Sequence, residues 1–410
     1  MSYPQQIPNA YPHQLLRLTP DHCSSLYFNY SAYTPDGEYM VIITPEGISK
    51  LKVGTWELST VTKIKGEWKL LFTGRKTRRV WYEVDKKEIW TVDIDSGDQR
   101  KICDIPAGGE VQNLNADETL LALVRVHPDV THPMLTFFAT RDKKTDQFDY
   151  RADWPDGTPM SYADAKEVKL AERLRAGIPM EIFTINTETG EEKVVWKSTD
   201  ILDHLMFSPT DPNIMMFCHE GPWHLVDRLW YIDLSSPQPE PIKVHTRTMN
   251  MEIVGHEWFS ADGQTIWYDL QTPRGQSFWI AGYHIPTGER HWYTVERNEW
   301  SVHYHANSDN TLFCGDGADE EMVAHAPDGK YLYLFRPKST PDVAGLKATD
   351  SKDLIQSGYL DVEKVVDLKG NDYKLEPNAN FTPDGIWVVF RSNMTGEMAT
   401  YAVKVEKDQN

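Results

Sequence analysis

The second half of the chain carries a group of histidines whose side chains could act as general bases or as metal ligands. Imidazole changes its charge near neutral pH, and its neutral ring nitrogens bind divalent metals. An arginine, Arg228, lies among them in the segment FCHEGPWHLVDRLW, and a guanidinium can hold a carboxylate through two parallel hydrogen bonds. These residue types suit proton transfer, metal binding and carboxylate recognition. The histidines are His204, His219, His224, His256, His303 and His305.

Each of these side chains also has a structural interpretation. Arg228 could form a structural pair with Asp227 or Glu220. His256, in VGHEWFSADG, is either a hydrogen-bonded structural histidine or a titratable group presented by a rigid strand. In the second case, we expect the backbone rather than Glu257 to orient its ring, because adjacent residues on a strand point to opposite faces.

A repeated turn-and-strand pattern indicates the elements that must position these side chains. An aromatic or small residue precedes a polar turn of the Ser/Thr-Pro-Asp-Gly type, and an alternating apolar strand follows. Several copies are followed by a second hairpin signal, and the period of about forty residues is typical of four-stranded propeller blades. The sequence therefore predicts an all-β, seven-bladed β-propeller that forms a single domain over residues 1–410, with a β-sandwich as the alternative. The copies start at Tyr33, Phe72, Leu114, Phe207, Phe259, Ala306 and Phe381.

Two intervals are too long for one blade, and we expect insertions there. In residues 125–180, the segment DAKEVKLAERLRAG predicts a helical insertion. Residues 337–371 are rich in Pro, Gly and Ser, which predicts a long loop insertion. We expect the last strand, MATYAVKV, to pair with HQLLRLT near the N-terminus, since an open ring would leave strand edges unpaired. In such a ring the histidines would converge on one end of the central channel.

Charge and composition exclude several classes of partner. The chain has 42 Lys and Arg against 61 Asp and Glu, a formal net charge of −19, which argues against nucleic acid and anionic membranes as partners. No apolar stretch approaches the roughly 20 residues that span a bilayer. The N-terminal residues do not resemble a secretory signal. The four cysteines show no metal or disulfide spacing. We therefore expect a cytoplasmic protein.

Four segments in chain order carry a resemblance to a known family. FCHEGPWHLVDRLW, GHEWFSADG, VHYHANSDNTLFCGDG and NANFTPDG resemble the oligogalacturonate lyases, a cytosolic family of seven-bladed propellers. The resemblance implies metal-assisted β-elimination, with an acidic, uronate-containing oligosaccharide as the partner. It assigns the catalytic base to His256 and carboxylate binding to Arg228. We place His219, Trp223 and His224 at the substrate site with Arg228.

The resemblance also implies a bound divalent ion of the manganese type. In the family, a histidine matching His303 and a Gln-x-x-His-Pro-His run hold that ion. Here the run reads YKLEPNANFTPD, so the matching positions carry Tyr373, Glu376 and Asn378. Glu and Asn are oxygen ligands suited to Mn²⁺, Ca²⁺ or another divalent ion, whereas Tyr is a poor replacement. There are two alternatives: the site still binds a metal but with a looser preference for its identity, or the metal site has been lost.

The expected chemistry explains why these residue types are needed. The C5 proton of a uronate is only weakly acidic while its carboxylate is charged. A divalent ion and Arg228 would neutralise that carboxylate, and neutral His256, with a reference pKa of about 6.5, would take the proton. Trp223, Trp258 and Trp300 could stack on sugar rings or pack the blades. The alternative function is a non-catalytic propeller that binds a partner on its ring face. A prolyl-peptidase-like hydrolase lacks support because no Gly-x-Ser-x-Gly motif is present.

Overall fold

Seven blades surround a central channel in the described part of the chain, and they form six β-sheets because one eight-stranded sheet comprises two blades. The computed structural model describes residues 2–127, 129–132, 151–320, 322–341, 349–351 and 353–408. Strands are numbered in chain order, and β1 (Gln5–Ile7) and β2 (His13–Arg17) belong to the last blade. The seven blades confirm the predicted all-β propeller.

The first three blades follow one another along the chain. Blade 1 contains β3 (Tyr39–Thr44), β4 (Gly47–Lys52) and β5 (Leu58–Lys63). Its innermost strand is reduced to a bridge between Tyr33 and Met40. Blade 2 contains β6 (Trp68–Thr73), β7 (Arg79–Val84), β8 (Glu88–Asp93) and β9 (Gln99–Asp104). Blade 3 contains β10 (Glu110–Leu114), β11 (Leu120–Val126), β12 (Met180–Asn186) and β13 (Glu192–Ser198).

The remaining four blades have the same order of strands from the channel outwards. Blade 4 contains β14 (Ile201–Phe207), β15 (Ile214–Glu220), β16 (Leu229–Asp233) and β17 (Ile242–Lys243). Blade 5 contains β18 (Ile253–Phe259), β19 (Thr265–Gln271), β20 (Phe278–His284) and β21 (Arg290–Val295). Blade 6 contains β22 (Tyr304–Ala306), β23 (Phe313–Asp316), β24 (Tyr331–Ser339) and β25 (Ile355–Asp367). Blade 7 contains β26 (Asn380–Phe381), β27 (Trp387–Ser392) and β28 (Ala399–Lys407), completed by β2 and β1.

The seven repeated turns join the innermost strand of each blade to its second strand. In three of them, a Ser or Thr hydroxyl before the turn donates to the turn aspartate, as Thr34 does to Asp36 (2.6 Å) and Thr382 does to Asp384 (2.6 Å). Short polar side chains that bond to nearby atoms in this way stabilise turns. The turn pattern therefore located every blade correctly.

β-bulges interrupt the innermost strands of blades 2 to 5. In blades 4 and 5 the pairing register shifts between Asp203 and Met206 and between Gly255 and Trp258. Within these bulges, His204 has a φ of 54° and His256 a φ of 45°. Bulges and positive φ angles at non-glycine residues re-aim side chains and are common beside functional sites. The bulges therefore turn both histidines out of the regular alternation of strand side chains.

The ring closes as the sequence predicted. β2 pairs antiparallel with β28, and Leu15 lies opposite Val403. His13 on β2 contacts the Lys404 carbonyl through Nδ1 (2.9 Å) and Glu363 of blade 6 through Nε2 (3.3 Å). The first strands of the chain therefore join the last blade and contact its neighbour.

The predicted helical insertion contains α1 (Tyr162–Ala176), between β11 and β12 of blade 3. The hydroxyl of Ser161 caps its N-terminus by accepting from the Asp164 amide, and Gly177 ends it in a left-handed conformation with φ of 57°. Arg173 is buried and donates to the Ile178 carbonyl (2.9 Å). Residues 128 and 133–150 of this insertion lie outside the described residues.

The second insertion is more regular than a long loop. β24 and β25 form an extended hairpin across much of residues 337–371. The start of β25 also pairs in parallel with β21, so that Arg290 lies opposite Ile355 and Thr294 opposite Tyr359. Blades 5 and 6 are thus hydrogen-bonded at their outer edges. Short 3₁₀ turns cover Arg297–Glu299 and Thr349–Ser351.

The core lies between neighbouring sheets. Trp258 and Trp300 are 1% and 2% exposed and belong to the cluster that packs blades 5 and 6 together, so the blade-packing interpretation of these two tryptophans is the one the structure supports. Within the described part of the chain, no helix has the length and hydrophobicity that crossing a membrane would require.

Candidate functional site

His256 pairs with a buried carboxylate at one end of the channel. Its Nδ1 lies 2.9 Å from Oδ1 of Asp269, which is on the second strand of the same blade. Asp269 is 3% exposed, whereas the side chain of His256 is 35% exposed. The expected backbone partner was therefore wrong, because the bulge turns the ring towards the neighbouring strand. A carboxylate at Nδ1 favours the tautomer with its proton there and leaves Nε2 free to accept a proton.

Gly255 makes room for this pair. A Cβ atom at Gly255 would lie 3.0 Å from Oδ1 of Asp269, closer than side chains normally approach. Gly255 and Asp269 are direct partners across the two strands. The glycine therefore allows the carboxylate to approach the backbone of β18, where it meets the ring of the next residue.

His303 forms a second pair of the same kind in blade 6. Its Nδ1 lies 3.2 Å from both carboxylate oxygens of Asp316, and its side chain is 1% exposed. Burial opposes charging of this imidazole, but the carboxylates of Asp316 and Glu376 raise the pKa of His303. The His303 and His256 rings meet edge to face with centroids 4.9 Å apart. Histidines from adjacent blades therefore form one site.

Glu376 and Arg391 complete the wall contributed by blade 7. Oε2 of Glu376 lies 3.8 Å from Nε2 of His303. Arg391, on β27, donates from Nε to the Glu376 carbonyl (2.8 Å) and from Nη1 to the Ser24 hydroxyl (3.3 Å). Burial lowers the pKa of Arg391, although Glu376, Asp316, Tyr27 and Tyr373 act in the opposite direction. Among the described residues, no carboxylate forms an ion pair with this guanidinium. Two hydrogen bonds therefore hold Arg391 in place, and its positive charge is free to bind an anion.

Two of the four predicted metal ligands have other partners. The Tyr373 hydroxyl donates to Asp316 (3.2 Å), and burial raises the pKa of Tyr373 well above its usual range, so it stays a phenol. The Asn378 amide nitrogen donates to the Glu376 carbonyl (3.1 Å), and its oxygen accepts from the Phe28 amide (3.4 Å). Both side chains therefore support the wall of the site.

The other two, His303 and Glu376, offer a nitrogen and an oxygen to the same space. In the part of the chain that the structure describes, no three His, Cys, Asp or Glu side chains are grouped as a metal site. One imidazole and one carboxylate still fit a hard or borderline divalent ion that keeps water at its other positions. Asp316 at the far nitrogen of His303 is the usual support for such a ligand. The donor set fits a weakly held ion.

Arg228 lies in a separate buried cluster of charges in blades 4 and 5. Its Nη1 donates to Glu220 (2.9 Å), and its Nε lies 3.6 Å from Glu257. His204 contacts the same two carboxylates, each at 3.5 Å, and the Cys218 thiol donates to Glu257 (3.0 Å). The structural pair with Glu220 is therefore present. The charge of Arg228 is already compensated by two carboxylates.

The remaining predicted site residues differ in their surroundings. Nδ1 of His219 bonds to Asp200 (2.8 Å), and its ring packs against Phe217 and Trp230. This burial gives His219 a structural environment. Trp223 and His224 instead lie in the exposed turn after β15, near Glu167 of α1, whose carboxyl pKa is raised by burial and lowered in part by both residues. Their placement at the substrate site stays a prediction.

Sequence reasoning missed Asp269, Asp316 and Arg391. The two aspartates follow His256 and His303 by the same interval of 13 residues. That repeated His-to-Asp spacing could have revealed both pairs, because each interval leads from an innermost strand around its turn to the second strand. Arg391 gave no comparable signal, since nothing in FRSN distinguishes a channel-facing arginine from a surface one.

Comparison with known proteins adds three observations. Residues 163–409 match the family model described as oligogalacturonate lyase. The oligogalacturonide lyase of Pectobacterium atrosepticum and the oligogalacturonate lyase of Dickeya dadantii are each 27% identical over 231 residues, which is 55% of this chain and 55% of either protein. The matched region thus spans about half the length of these curated relatives. A solved oligogalacturonate lyase in complex with manganese has a TM-score of 0.70 over 99% of both chains, at 21% identity, and shares the fold.

Proposed function

Because the chain belongs to the oligogalacturonate lyase family, we propose that it cleaves uronate-containing acidic oligosaccharides by β-elimination. The family match confirms the resemblance seen in the sequence. The observation that carries the proposal is the His256–Asp269 pair, which lies beside His303 at one end of the channel. An oriented imidazole with one free nitrogen, next to groups that bind carboxylates, is what proton abstraction from a uronate requires.

His256 is the general base in this proposal. Its Nε2 takes the proton from C5 of the uronate while Asp269 stabilises the imidazolium that forms. The electrons of the C5–H bond form the C4–C5 double bond, and the C4–O bond to the neighbouring sugar breaks. The departing oxygen takes a proton, giving a new sugar end and an unsaturated uronate. Positioned proton transfer contributes roughly a hundredfold to ten-thousandfold in rate.

Arg391 is the proposed ligand of the uronate carboxylate. Its Nε and one Nη1 position are held by Glu376 and Ser24, and it has no carboxylate partner among the described residues. A guanidinium fixed in this way binds a carboxylate and lowers the cost of charge developing next to it. Arg228 is already paired with Glu220 and Glu257, so we propose that it positions the channel wall.

His303 and Glu376 are the proposed ligands of a divalent ion, with Mn²⁺ the first candidate. Bound there, such an ion would polarise the uronate carboxylate as a Lewis acid. With only two protein ligands we expect weak binding. Manganese binding to the purified protein can be measured by the loss of its free electron paramagnetic resonance signal. Glu376→Gln should weaken that binding, while Glu397→Gln, at an exposed position, should not change it.

The cytoplasm is the proposed location. All four cysteines are free, and three of them are buried. Unpaired thiols persist in a reducing compartment, which supports this location and suits an enzyme that acts on short, imported oligosaccharides.

The decisive test replaces the proposed base without disturbing the backbone. His256→Asn removes the imidazole, and asparagine tolerates the φ of 45° at this position. Saturated oligogalacturonates are incubated with the protein, with and without Mn²⁺, and the ultraviolet absorbance of the unsaturated product is followed. We expect a loss of about a hundredfold or more. The matched control is His22→Asn, at an exposed histidine with φ of 63°, which should retain full activity.

Two outcomes would contradict the proposal. If the native protein forms no unsaturated product under either condition, the lyase function is wrong. If His256→Asn is as active as His22→Asn, the function stands but the base is a different residue. Circular dichroism of both variants confirms that the comparison is made between folded proteins.

A further inference from the structure

A cavity of about 400 Å³ lies further along the innermost strands than His256. It is lined where the innermost strands end, for example by Met206, Phe259, Ala306 and Phe381. His256 is the fourth of the seven residues of β18, and His303 directly precedes β22, so both lie nearer the strand starts than Phe259 and Ala306 do. The cavity is therefore a different part of the channel from the site described above, and Phe28, which lines the cavity, packs against the His303 ring.

The charge of the cavity is opposite to that of the protein as a whole. Among the described residues, Arg75 is the only Lys, Arg, Asp or Glu that lines it, in a chain with 61 acidic and 42 basic residues. No carboxylate in the described part of the chain borders the cavity to compensate this guanidinium. Such a local field attracts anions even where the net charge of the protein repels them.

Arg75 has no protein partner within the described part of the chain. The next two arginines along the chain differ in this respect, because Arg78 pairs with Asp36, Glu38 and Asp95, and Arg79 pairs with Asp98. Burial lowers the pKa of Arg75 to about 10, so it remains charged at neutral pH. A partly buried cation without a partner is costly to the folded state, which points to a ligand.

His305 presents a second donor to the same cavity. Its Nδ1 accepts from the Phe381 amide (3.3 Å). A ring nitrogen that accepts carries no proton, so the ring proton is on Nε2, which bonds to no described residue. Arg75 and Nε2 of His305 are thus two hydrogen-bond donors that line the same cavity and have no acceptor among the described residues.

The rest of the lining suits a small polar molecule. Tyr30, Tyr33 and Trp258 supply aromatic surface, and serine, threonine and asparagine side chains supply hydroxyl and amide groups. Cavities of roughly 300–1,000 Å³ with a few placed polar groups are typical of ligand sites. The volume accommodates a single hexuronate.

We propose that the Arg75 cavity is a second ligand site, which binds a small carboxylate that carries hydroxyl groups, of the size of one uronic acid. Arg75 holds the carboxylate and His305 donates one further hydrogen bond. This proposal rests on the lining of the cavity and is independent of the lyase activity.

The test uses the full-length protein and monomeric galacturonate as the probe, with uncharged galactose and inorganic phosphate as comparisons. Dissociation constants are measured by isothermal titration calorimetry at constant ionic strength. Arg75→Gln should weaken galacturonate binding by about tenfold or more, as expected for loss of a paired charge. The matched control Arg79→Gln and the active-site variant His256→Asn should bind as the native protein does.

Stability provides an independent readout. Because Arg75 has no partner among the described residues, Arg75→Gln should leave the melting temperature of the ligand-free protein unchanged or raised, whereas loss of a structural arginine would lower it. Arg75→Lys keeps the charge but not the bidentate geometry and should bind with intermediate affinity.

Three results would overturn the proposal. One is the absence of galacturonate binding to the native protein. Another is binding that is lost in His256→Asn but kept in Arg75→Gln, since the probe would then occupy the active site. The third is equal binding of galacturonate, galactose and phosphate, which excludes a site for a sugar acid.

Discussion

At the scale of residues, we expect different effects from replacing the two arginines, Arg391 and Arg228. Arg391 has no carboxylate partner among the described residues, whereas Arg228 is shared by Glu220 and Glu257. Arg391→Gln should lower kcat/KM for oligogalacturonate by about tenfold to a hundredfold, with little loss of stability. Arg228→Gln should reduce the free energy of unfolding by about 3–5 kcal/mol, because it leaves buried carboxylates unpaired.

Steady-state kinetics and urea unfolding of both variants distinguish these roles. The reverse pattern, with Arg228→Gln affecting only kinetics and Arg391→Gln only stability, would assign carboxylate binding to Arg228, as the sequence alone suggested.

His204 predicts a dependence of stability on pH. Burial opposes its charging, but the hydrogen bond with Glu220 and the charges of Asp203 and Glu257 raise the pKa of His204 to about 9. Its contribution to stability is therefore complete below the unfolded-state pKa of about 6.5 and is lost as the pH rises from there to about 9. His204→Asn, which tolerates the φ of 54°, should reduce the loss of stability across this range.

Urea midpoints at pH 6 and pH 9 for the native protein and the variant test this directly. If the urea midpoint changes by the same amount between pH 6 and pH 9 in the native protein and in His204→Asn, then His204 does not gain its charge in the folded protein.

The residues of the site were only partly predictable from the sequence. His256 and His303 lie together as expected, because they occupy similar positions in consecutive blades. Asp269, Asp316 and Arg391 reach the site from second strands, and their orientation depends on strand pairing and bulges. Tyr373 and Asn378 have structural roles, because Tyr373 donates to Asp316 of blade 6 and Asn378 bonds to the Glu376 carbonyl and the Phe28 amide.

At the scale of elements, the C-terminal cap of α1 predicts how much stability the helix loses when Gly177 is replaced. A Cβ atom at Gly177 would meet nothing within 4 Å, so only the φ of 57° resists substitution. Gly177→Ala should therefore destabilise the helix by about 1 kcal/mol. Gly177→Asn should cost less, because asparagine tolerates the left-handed conformation. Hydrogen exchange of the α1 amides measures both effects, and equal protection in the two variants would contradict this account.

The elements also show where sequence patterns stop being informative. Repeated turns identified every blade because their hydrogen bonds are local, as in Thr34 with Asp36. The strand pairing within residues 337–371 was not evident, because Pro and Gly there favoured a loop and the pairing of β25 with β21 is set by tertiary contacts. The sequence therefore predicted the features that depend on local hydrogen bonds, but it did not predict the contacts between blades.

At the scale of the whole molecule, ring closure predicts global effects from substitutions near the N-terminus. Leu15 is 3% exposed and packs in one cluster with Leu334, Val388 and Val403. Leu15→Ala should reduce the free energy of unfolding by about 2–5 kcal/mol. Leu354→Ala, at a leucine that is 66% exposed, should change it by less than about 0.5 kcal/mol.

Denaturant unfolding monitored by tryptophan fluorescence compares these two leucine variants. Similar midpoints for both would indicate that β2 contributes little to the closed ring.

The parallel pairing of β21 with β25 has a consequence for behaviour at high concentration. An unpaired outer strand exposes amide and carbonyl groups that can recruit a strand from another molecule, which begins aggregation. Here the backbones of Arg290–Thr294 and Ile355–Tyr359 satisfy each other, so each strand shields the other from such recruitment. Blades 5 and 6, which carry His256 and His303, are therefore protected from edge-to-edge association at their rims.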